Sequence, residues 1–159
     1  MNASIAIKRA TVNDAHEVAV MVGELLNEIM SAIGVNVFNF SLDETTTRLK
    51  DFIEREKYFV FVAQNKNADP VGFITIFEGH ALYAEGAFGT IPELFVRSAF
   101  RSQSVGLRLV EQAKSFGNER GWKRLEVTTP PLPQFDKTLA FYEREGFAIS
   151  GGRKLKVAL

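Results

Sequence analysis

Apolar residues along this 159-residue chain follow two spacings, one typical of helices and one typical of strands. Between Ala15 and Ile29 they recur every three or four positions, which predicts a helix with one buried stripe. The unbroken apolar run from Tyr58 to Ala63 predicts a strand that is covered on both faces. After a turn, Val71 to Phe77 is predicted to return antiparallel to that strand. The chain therefore has an α/β pattern.

The other elements follow from the same spacings and from their boundary residues. Ser41 and Glu44 form a capping box at the start of a second helix, and Gly121 and Gly146 follow helical stretches at positions that favour a left-handed cap. Gly151-Gly152 predicts the turn of a final hairpin. The full prediction is about seven strands and about four helices: strands at Ile5–Arg9, Tyr58–Ala63, Val71–Phe77, Ile91–Val96, Arg124–Thr128, Phe147–Ser150 and Arg153–Ala158, and helices over 15–29, after Ser41, at Ser102–Arg120 and at Asp136–Glu145.

Pro92 lies within the predicted strand Ile91–Val96. Proline has no backbone N–H, so a strand tolerates it only at its start or where a bulge interrupts the hydrogen-bonded ladder. The sequence therefore predicts a defect in the sheet at this strand.

Composition narrows the class of protein. The length and the 46% hydrophobic content fit one domain over residues 1–159, and 19 basic residues balance 19 acidic ones, so no overall field favours nucleic acid or an anionic membrane. The chain has no apolar run near the roughly 18 residues that a membrane span needs, and its first residues lack the charged start of a signal peptide. We therefore expect a cytoplasmic protein with small partners.

Cysteine and histidine usage excludes two kinds of chemistry. The chain has no cysteine, which excludes disulfides, thiolate metal sites and a cysteine nucleophile. Its two histidines, His16 and His80, do not supply a usual metal cluster. No metal is expected.

The clearest local signal is a strand that runs through a loop of small residues directly into a helix, from Glu93 to Gly106. The first turn of a helix leaves N–H groups without partners and carries partial positive charge, so such a layout suits a diphosphate, and Arg101 adds a full charge. An ordinary helix start capped by Ser102 or Ser104 explains the same residues. The loop lacks the Gly-Lys-Ser/Thr of a P-loop and the three glycines of a dinucleotide fingerprint, which disfavours ATP and NAD.

Two segments in order resemble the GNAT superfamily of acyl-CoA-dependent N-acyltransferases. Arg101 to Gly106 is similar to the pyrophosphate loop Arg/Gln-x-x-Gly-x-Gly/Ala, with Ser104 where the first glycine is usual. Phe141 to Phe147 is similar to the late Phe-Tyr-x-x-x-Gly-Phe helix of the family, with Phe135 where an asparagine is common. The resemblance implies a mixed, mostly antiparallel central sheet, an α/β (α+β) fold, and acetyl-CoA as co-substrate. It also implies a splayed strand before the loop, which agrees with the defect predicted independently from Pro92.

The resemblance implies roles for individual residues. Glu93 is the candidate base that removes a proton from the amine, with Glu85 or His80 as replacements, and Tyr142 matches the general acid for the departing CoA thiolate. A backbone N–H near Val96 would polarise the thioester carbonyl. With no cysteine to accept the acetyl group, direct transfer in a ternary complex is expected. The candidate cofactor-binding residues are Leu94, Phe95, Val96, Arg101, Ser102, Gln103, Ser104, Val105, Gly106 and Tyr142.

The acceptor and the partners stay open at the level of sequence. No Lys or Arg occurs between Lys66 and Arg97, which favours a cationic amine of a small molecule or peptide, and aromatic residues lie in candidate acceptor loops: Phe38, Phe40, Tyr83 and Phe88. A non-catalytic CoA-binding sensor of the same fold is the first alternative, and an interaction domain without a CoA site is the second. The final hairpin either pairs across a homodimer or closes its own sheet.

Overall fold

The computed structural model describes residues 4–159. Within that range the chain forms six strands and four α-helices: β1 (Ala6–Arg9), α1 (Ala15–Ile33), α2 (Leu42–Glu54), β2 (Phe59–Gln64), β3 (Pro70–Ala81), β4 (Gly86–Ile91), β5 (Leu94–Val96), α3 (Val105–Glu119), β6 (Leu125–Val127) and α4 (Asp136–Arg144). Short 3-10 turns, Val12–Asp14 and Ser98–Phe100, precede α1 and α3.

The strands form one mixed sheet in the order β1-β2-β3-β4-β6, with β5 also pairing with β3. All neighbouring strands are antiparallel except β4 and β6, which are parallel. The predicted fold class, a mixed and mostly antiparallel sheet with about four helices, is confirmed.

The long strand β3 pairs with two different strands, β4 and β5, along the same edge. Its residues from Phe77 onward pair with β4, whereas Gly72 to Ile74 pair with β5. One extra residue lies on the β4–β5 side at Pro92-Glu93, so the ladder has a bulge there. The defect predicted from Pro92 is confirmed. Because β6 pairs with β4 and not with β5, the sheet opens between β5 and β6.

The two faces of the sheet have separate cores. On one face α3 and α4 pack through Val105, Leu109 and Tyr142 against Ile74 and Ile76. On the other face α1 and α2 pack through a second set of buried residues: Val18, Met21, Leu49, Phe73 and Phe95. Alternate residues of β3 and β5 therefore point to opposite faces, as the pleat of a strand requires.

Helix boundaries agree with the signals in the sequence. The Ser41 hydroxyl accepts a hydrogen bond from the Glu44 amide at 3.3 Å, and Gly121 and Gly146 have φ values of 76° and 95°. The third helix begins at Val105, three residues later than predicted, because Ser102 and Ser104 adopt the left-handed conformation and interrupt a regular helix.

Two predictions about strands were wrong. Gly86–Ile91 is a strand that the pattern did not indicate, because glycine and alanine are poor strand formers. The final hairpin, Phe147–Ser150 with Arg153–Ala158, has no strand pairing in the described residues, and Leu155 and Val157 are 88% and 81% exposed. A hairpin without a packed face is not stable in water by itself. No preformed hairpin is therefore present there to pair across a homodimer.

Candidate functional site

The loop from Arg101 to Gly106 joins β5 to α3 in a conformation that leaves backbone amides without acceptors among the described residues. Ser102 and Ser104 have φ values of 64° and 63°, and Ser104 caps α3 without a side-chain hydrogen bond. The first helical hydrogen bond runs from the Arg108 amide to the Ser104 carbonyl at 3.1 Å. Within residues 4–159, the amides of Val105 and Gly106 have no acceptor. These amides and the positive end of α3 fit an anionic group such as a diphosphate.

Arg101 is already paired in this structure. Its Nε donates to the Val96 carbonyl at 2.8 Å, its Nη2 lies 2.6 Å from Glu28 Oε1, and its guanidinium lies 5.6 Å from the centroid of the Phe95 ring. A second pair joins Arg97 to Glu24 of α1, with Nη2 and Oε2 2.8 Å apart. Both arginines therefore fix the loop to α1, a structural role that the sequence did not indicate.

The start of α3 meets the second predicted motif. A Cβ added at Gly106 would lie 3.4 Å from the Phe141 ring and 3.9 Å from Val96. The structure thus brings Val96, Gly106 and the Phe141-Tyr142 pair together, although they are far apart in sequence.

Tyr142 is only 5% exposed, and its ring lies 5.3 Å from those of Phe141 and Phe147. Burial raises the pKa of its hydroxyl above the usual range, so the group stays protonated. Within the described part of the chain the hydroxyl has no hydrogen-bond partner, yet it is not a fully buried, unsatisfied atom. It is consequently free to donate a proton to a ligand.

Glu93 lies at the bulge, half-buried, with its backbone and side chain both held by Thr75. The Glu93 amide donates to the Thr75 hydroxyl at 3.1 Å, and that hydroxyl donates to the Glu93 carboxylate. Burial raises the pKa of this carboxyl, and hydrogen bonds from the Thr75 and Tyr58 hydroxyls lower it in part. The net rise gives the carboxylate more basic character than a solvated one.

Sequence patterns did not single out Tyr58 or Thr75 as site residues. Tyr58 precedes β2 at the start of an apolar run and Thr75 lies inside β3, where both appear as ordinary strand positions. The signal available was that each is a hydroxyl residue in an otherwise apolar segment. Only the pairing of β3 with the bulge shows that both hydroxyls meet Glu93.

Glu93 and Tyr142 occupy opposite faces of the sheet. Tyr142 belongs to the core under α3, whereas Tyr58 and Phe73, which flank the Glu93 side of β3, belong to the core under α1 and α2. The opening between β5 and β6 connects the two faces.

The opening is lined by backbone groups of β5. Arg97 N bonds to the Val71 carbonyl and Thr75 N to the Glu93 carbonyl, so odd-numbered residues of this segment bond to β3. In an antiparallel pair the alternate residues, Leu94 and Val96, point their N–H and C=O groups the other way. The Val96 N–H is thereby directed into the opening, while the Phe95 side chain is buried under α1.

The alternative bases lie elsewhere. His80 is at the far end of β3, with its Nε2 3.4 Å from Glu78, and Glu85 is exposed in the turn between β3 and β4. Glu78 accepts a hydrogen bond from the Trp122 indole at 2.6 Å, which holds the pKa of that carboxyl below its usual range.

The four aromatic residues of the candidate acceptor loops do not form one pocket. Phe40 packs on α1, where a Cβ at Gly23 would lie 2.7 Å from its ring. Tyr83 and Phe88 lie near Arg124, whose guanidinium is 5.2 and 5.5 Å from the two rings. Phe38 lies in the α1–α2 loop and is 39% exposed. Phe135, in place of the common asparagine, caps α4 through its backbone carbonyl.

Residues 4–159 contain neither a cluster suited to a metal ion nor a helix suited to a membrane. No group of three or more His, Cys, Asp or Glu side chains in this range is arranged to hold a metal ion. None of the helices described has the length and apolar character needed to cross a bilayer.

Comparison with known proteins places these features in a wider context. Residues 21–147 match the model of the Acetyltransferase (GNAT) family. No curated protein sequence matches the chain significantly.

Solved structures give similar folds at low sequence identity. A possible acetyltransferase from Clostridium difficile 630 is similar with a TM-score of 0.81 at 15% identity, covering 98% of this chain and 97% of that one. An aminoglycoside acetyltransferase from an uncultured soil metagenomic sample has a TM-score of 0.76 at 21% identity, covering 98% and 97%. Ribosomal-protein-alanine N-acetyltransferase from Brucella melitensis biovar Abortus 2308 has a TM-score of 0.72 at 16% identity, covering 96% and 99%. At these identities the likeness concerns the fold alone.

Proposed function

Because the chain belongs to the Acetyltransferase (GNAT) family, we propose that it transfers the acetyl group of acetyl-CoA directly to a primary amine in a ternary complex. The observation that carries this function is the opening between β5 and β6, which ends at the free amides of Val105 and Gly106. Backbone N–H and C=O groups in the opening suit the amide-containing arm of CoA, and the start of α3 suits its diphosphate.

The chain supplies a base and an acid for the proton transfers of this reaction. An alkylamine is mostly protonated at neutral pH, so Glu93 takes its proton, directly or through water, before the nitrogen attacks the acetyl carbon. The bond between nitrogen and the acetyl carbon forms, the nitrogen releases its second proton to water as the amide is completed, and the bond between that carbon and sulfur breaks. Tyr142 donates its proton to the departing sulfur and regains one from water, and Glu93 releases to water the proton that it took.

The Val96 N–H is the proposed donor to the thioester oxygen. Negative charge grows on that oxygen as the amine attacks, and a fixed backbone dipole stabilises it without reorganising. The remaining candidate contacts to CoA are Leu94, Phe95, Arg101, Ser102, Gln103 and Ser104. Of these, Arg101 acts by holding the loop to Glu28 and the Val96 carbonyl.

The acceptor is proposed to be an amine of a small molecule or a peptide. The similar structures named above include an aminoglycoside acetyltransferase and a ribosomal-protein-alanine N-acetyltransferase, which span both kinds of acceptor. The absence of Lys and Arg between Lys66 and Arg97 supports a cationic amine.

Thermal unfolding with and without acetyl-CoA tests whether the protein binds the co-substrate. A ligand held only by the folded state stabilises it by about 2.7 kcal/mol at a hundred times its dissociation constant, so the midpoint should rise clearly. Release of CoA thiol in the presence of amines tests whether the protein transfers the acetyl group. No shift at millimolar acetyl-CoA would exclude the co-substrate site. A shift without turnover on any amine would identify the non-catalytic CoA-binding alternative, which Ser104 and Phe135 motivate.

A further inference from the structure

We propose, resting on the acetyl transfer above, that the acceptor is a monoamine with an aromatic or apolar body, which binds in a cleft lined by Phe52, Tyr58 and Phe77. We call this the aromatic cleft.

The aromatic cleft has a volume of about 390 Å³ and lies between the end of α2 and the far half of β3. The Phe52 and Tyr58 ring centroids are 5.0 Å apart, and Tyr58 stacks nearly parallel to Phe77 at 6.4 Å. All three side chains are only half-buried, so each ring keeps a surface that a ligand can cover. Aromatic surfaces of this kind bind flat, apolar groups in offset or edge-on arrangements.

Tyr58 links the aromatic cleft to the proposed base. Its ring lines the cleft, and its hydroxyl interacts with the Glu93 carboxylate, whose pKa it lowers in part. Thr75, the other residue that holds Glu93, lies on β3 two positions before Phe77 and therefore on the same face. An amine whose body rests on the three rings can direct its nitrogen toward Glu93.

Charges around the aromatic cleft disfavour an acceptor with several positive charges. Lys57 is part of the lining, together with Glu56 and Glu78. Glu78 is already engaged by the Trp122 indole at 2.6 Å and by Arg120 at 3.5 Å. The acidic charge left for a ligand is small, which suits one ammonium group and not a polyamine.

Isothermal titration calorimetry of the CoA-loaded protein tests the inference by binding alone. The probes are 2-phenylethylamine, which has one ammonium group and an aromatic ring, methylamine, which lacks the ring, and spermidine, which has several charges. We expect 2-phenylethylamine to bind at least about tenfold more tightly than either of the others. Equal or tighter binding of spermidine, or no binding of 2-phenylethylamine, would overturn the inference.

A pair of variants locates the binding site. Phe52→Ala should weaken binding of 2-phenylethylamine about tenfold, whereas Phe38→Ala, which removes an aromatic ring from the α1–α2 loop, should leave it unchanged. The opposite pattern would place the acceptor in that loop. Because the thermal shift with acetyl-CoA does not depend on the aromatic cleft, it should persist in both variants. Its absence from the parent protein would instead be a failure of the proposed function.

Discussion

At the scale of single residues, the two side chains with proposed catalytic roles lie on opposite faces of the sheet. Tyr142 has a buried ring and a hydroxyl without a partner in residues 4–159, and Glu93 has a carboxylate that accepts a hydrogen bond from the Thr75 hydroxyl. Both environments favour a protonation state that acetyl transfer can use. The raised pKa of Tyr142 keeps its proton available, and the raised pKa of Glu93 strengthens it as a base.

Replacing Tyr142 with Phe should lower kcat on the order of 100-fold or more while leaving the KM for acetyl-CoA nearly unchanged, because only the donated proton is lost. Steady-state measurement of CoA release checks this expectation. Tyr83→Phe is a matched control, since Tyr83 is 78% exposed in the turn between β3 and β4. Equal kcat in the Tyr142 variant and the parent would remove Tyr142 from the proposed acid role.

Replacing Thr75 with Val should shift the acidic limb of the kcat/KM profile to higher pH. The limb rises as Glu93 loses its proton, and the Thr75 hydrogen bond stabilises the ionised form and lowers this pKa. Removing that bond raises the pKa further, so more alkaline solution is needed for the same ionised fraction. Thr75→Ser keeps the hydroxyl and should keep the limb in place. If the limb stays in place in Thr75→Val as it does in Thr75→Ser, the limb reports the titration of a group other than Glu93.

Replacing Glu93 with Gln should lower the activity and flatten the acidic limb of the kcat/KM profile. The same replacement should raise the free energy of unfolding at neutral pH. A carboxyl whose pKa is raised in the folded protein holds more protons there than in the unfolded chain, so its contribution to stability falls as pH rises above the unfolded pKa. Gln removes that buried charge and keeps an acceptor for Thr75. Chemical denaturation at pH 7 measures the difference. A variant less stable than the parent would contradict the burial of charge as the cause of the raised pKa.

At the scale of elements, the loop between β5 and α3 combines a strained backbone with amides that have no acceptor in residues 4–159. Ser102 and Ser104 both have the positive φ values that glycine adopts without a steric penalty. The left-handed conformation costs about 1–2 kcal/mol for a residue with a Cβ. Only Ser104 directly precedes the free amides of Val105 and Gly106.

Ser104→Gly should therefore tighten acetyl-CoA binding, since it removes bulk beside those amides, whereas Ser102→Gly should not. Each variant should raise the free energy of unfolding by no more than about 1 kcal/mol, because glycine also gains entropy in the unfolded chain. Calorimetry with acetyl-CoA and chemical denaturation separate the two effects. Weaker binding in the Ser104 variant would mean that the serine hydroxyl itself contacts the ligand.

Sequence patterns predicted the elements that depend on local rules and missed those that depend on distant contacts. The stripe from Ala15 to Ile29, the Ser41 cap and the break at Pro92 are each encoded within a few residues. Strand β4 was missed because Gly89 weakens the strand pattern. A Cβ at Gly89 would lie 2.5 Å from the Trp122 ring, so this glycine is explained by a side chain that is distant in sequence.

The candidate site likewise contains residues that the sequence indicated and contacts that depend on the fold. The resemblance to a known family indicated Glu93, Tyr142 and the loop, whereas the hydroxyl of Thr75 that holds Glu93 depends on the register between β3 and the bulge. The pairing of Arg101 with Glu28 depends on how α1 packs against the sheet. Neither contact has a signature in sequence spacing.

At the scale of the whole molecule, the last twelve residues, 148–159, are exposed throughout and lie outside both cores. Ending the chain after Phe147 should therefore change the free energy of unfolding by less than about 0.5 kcal/mol, at any protein concentration. Phe147→Ala is the matched comparison and should cost at least about 1 kcal/mol, because its ring packs 5.3 Å from that of Tyr142. If truncation lowered the free energy of unfolding as much as Phe147→Ala does, residues 148–159 would have to be folded onto this chain or onto a second copy.

The placement of Glu93 and Tyr142 on opposite faces of the sheet also separates the routes by which protons reach the solvent. In the proposed roles, the proton from the amine leaves on the side of α1 and α2, and the proton that neutralises sulfur is replaced on the side of α3 and α4. The two exchange steps would therefore run through different surfaces of the protein, although both surfaces meet the same solvent. The sheet keeps the proposed base and the proposed acid apart as well as positioning them.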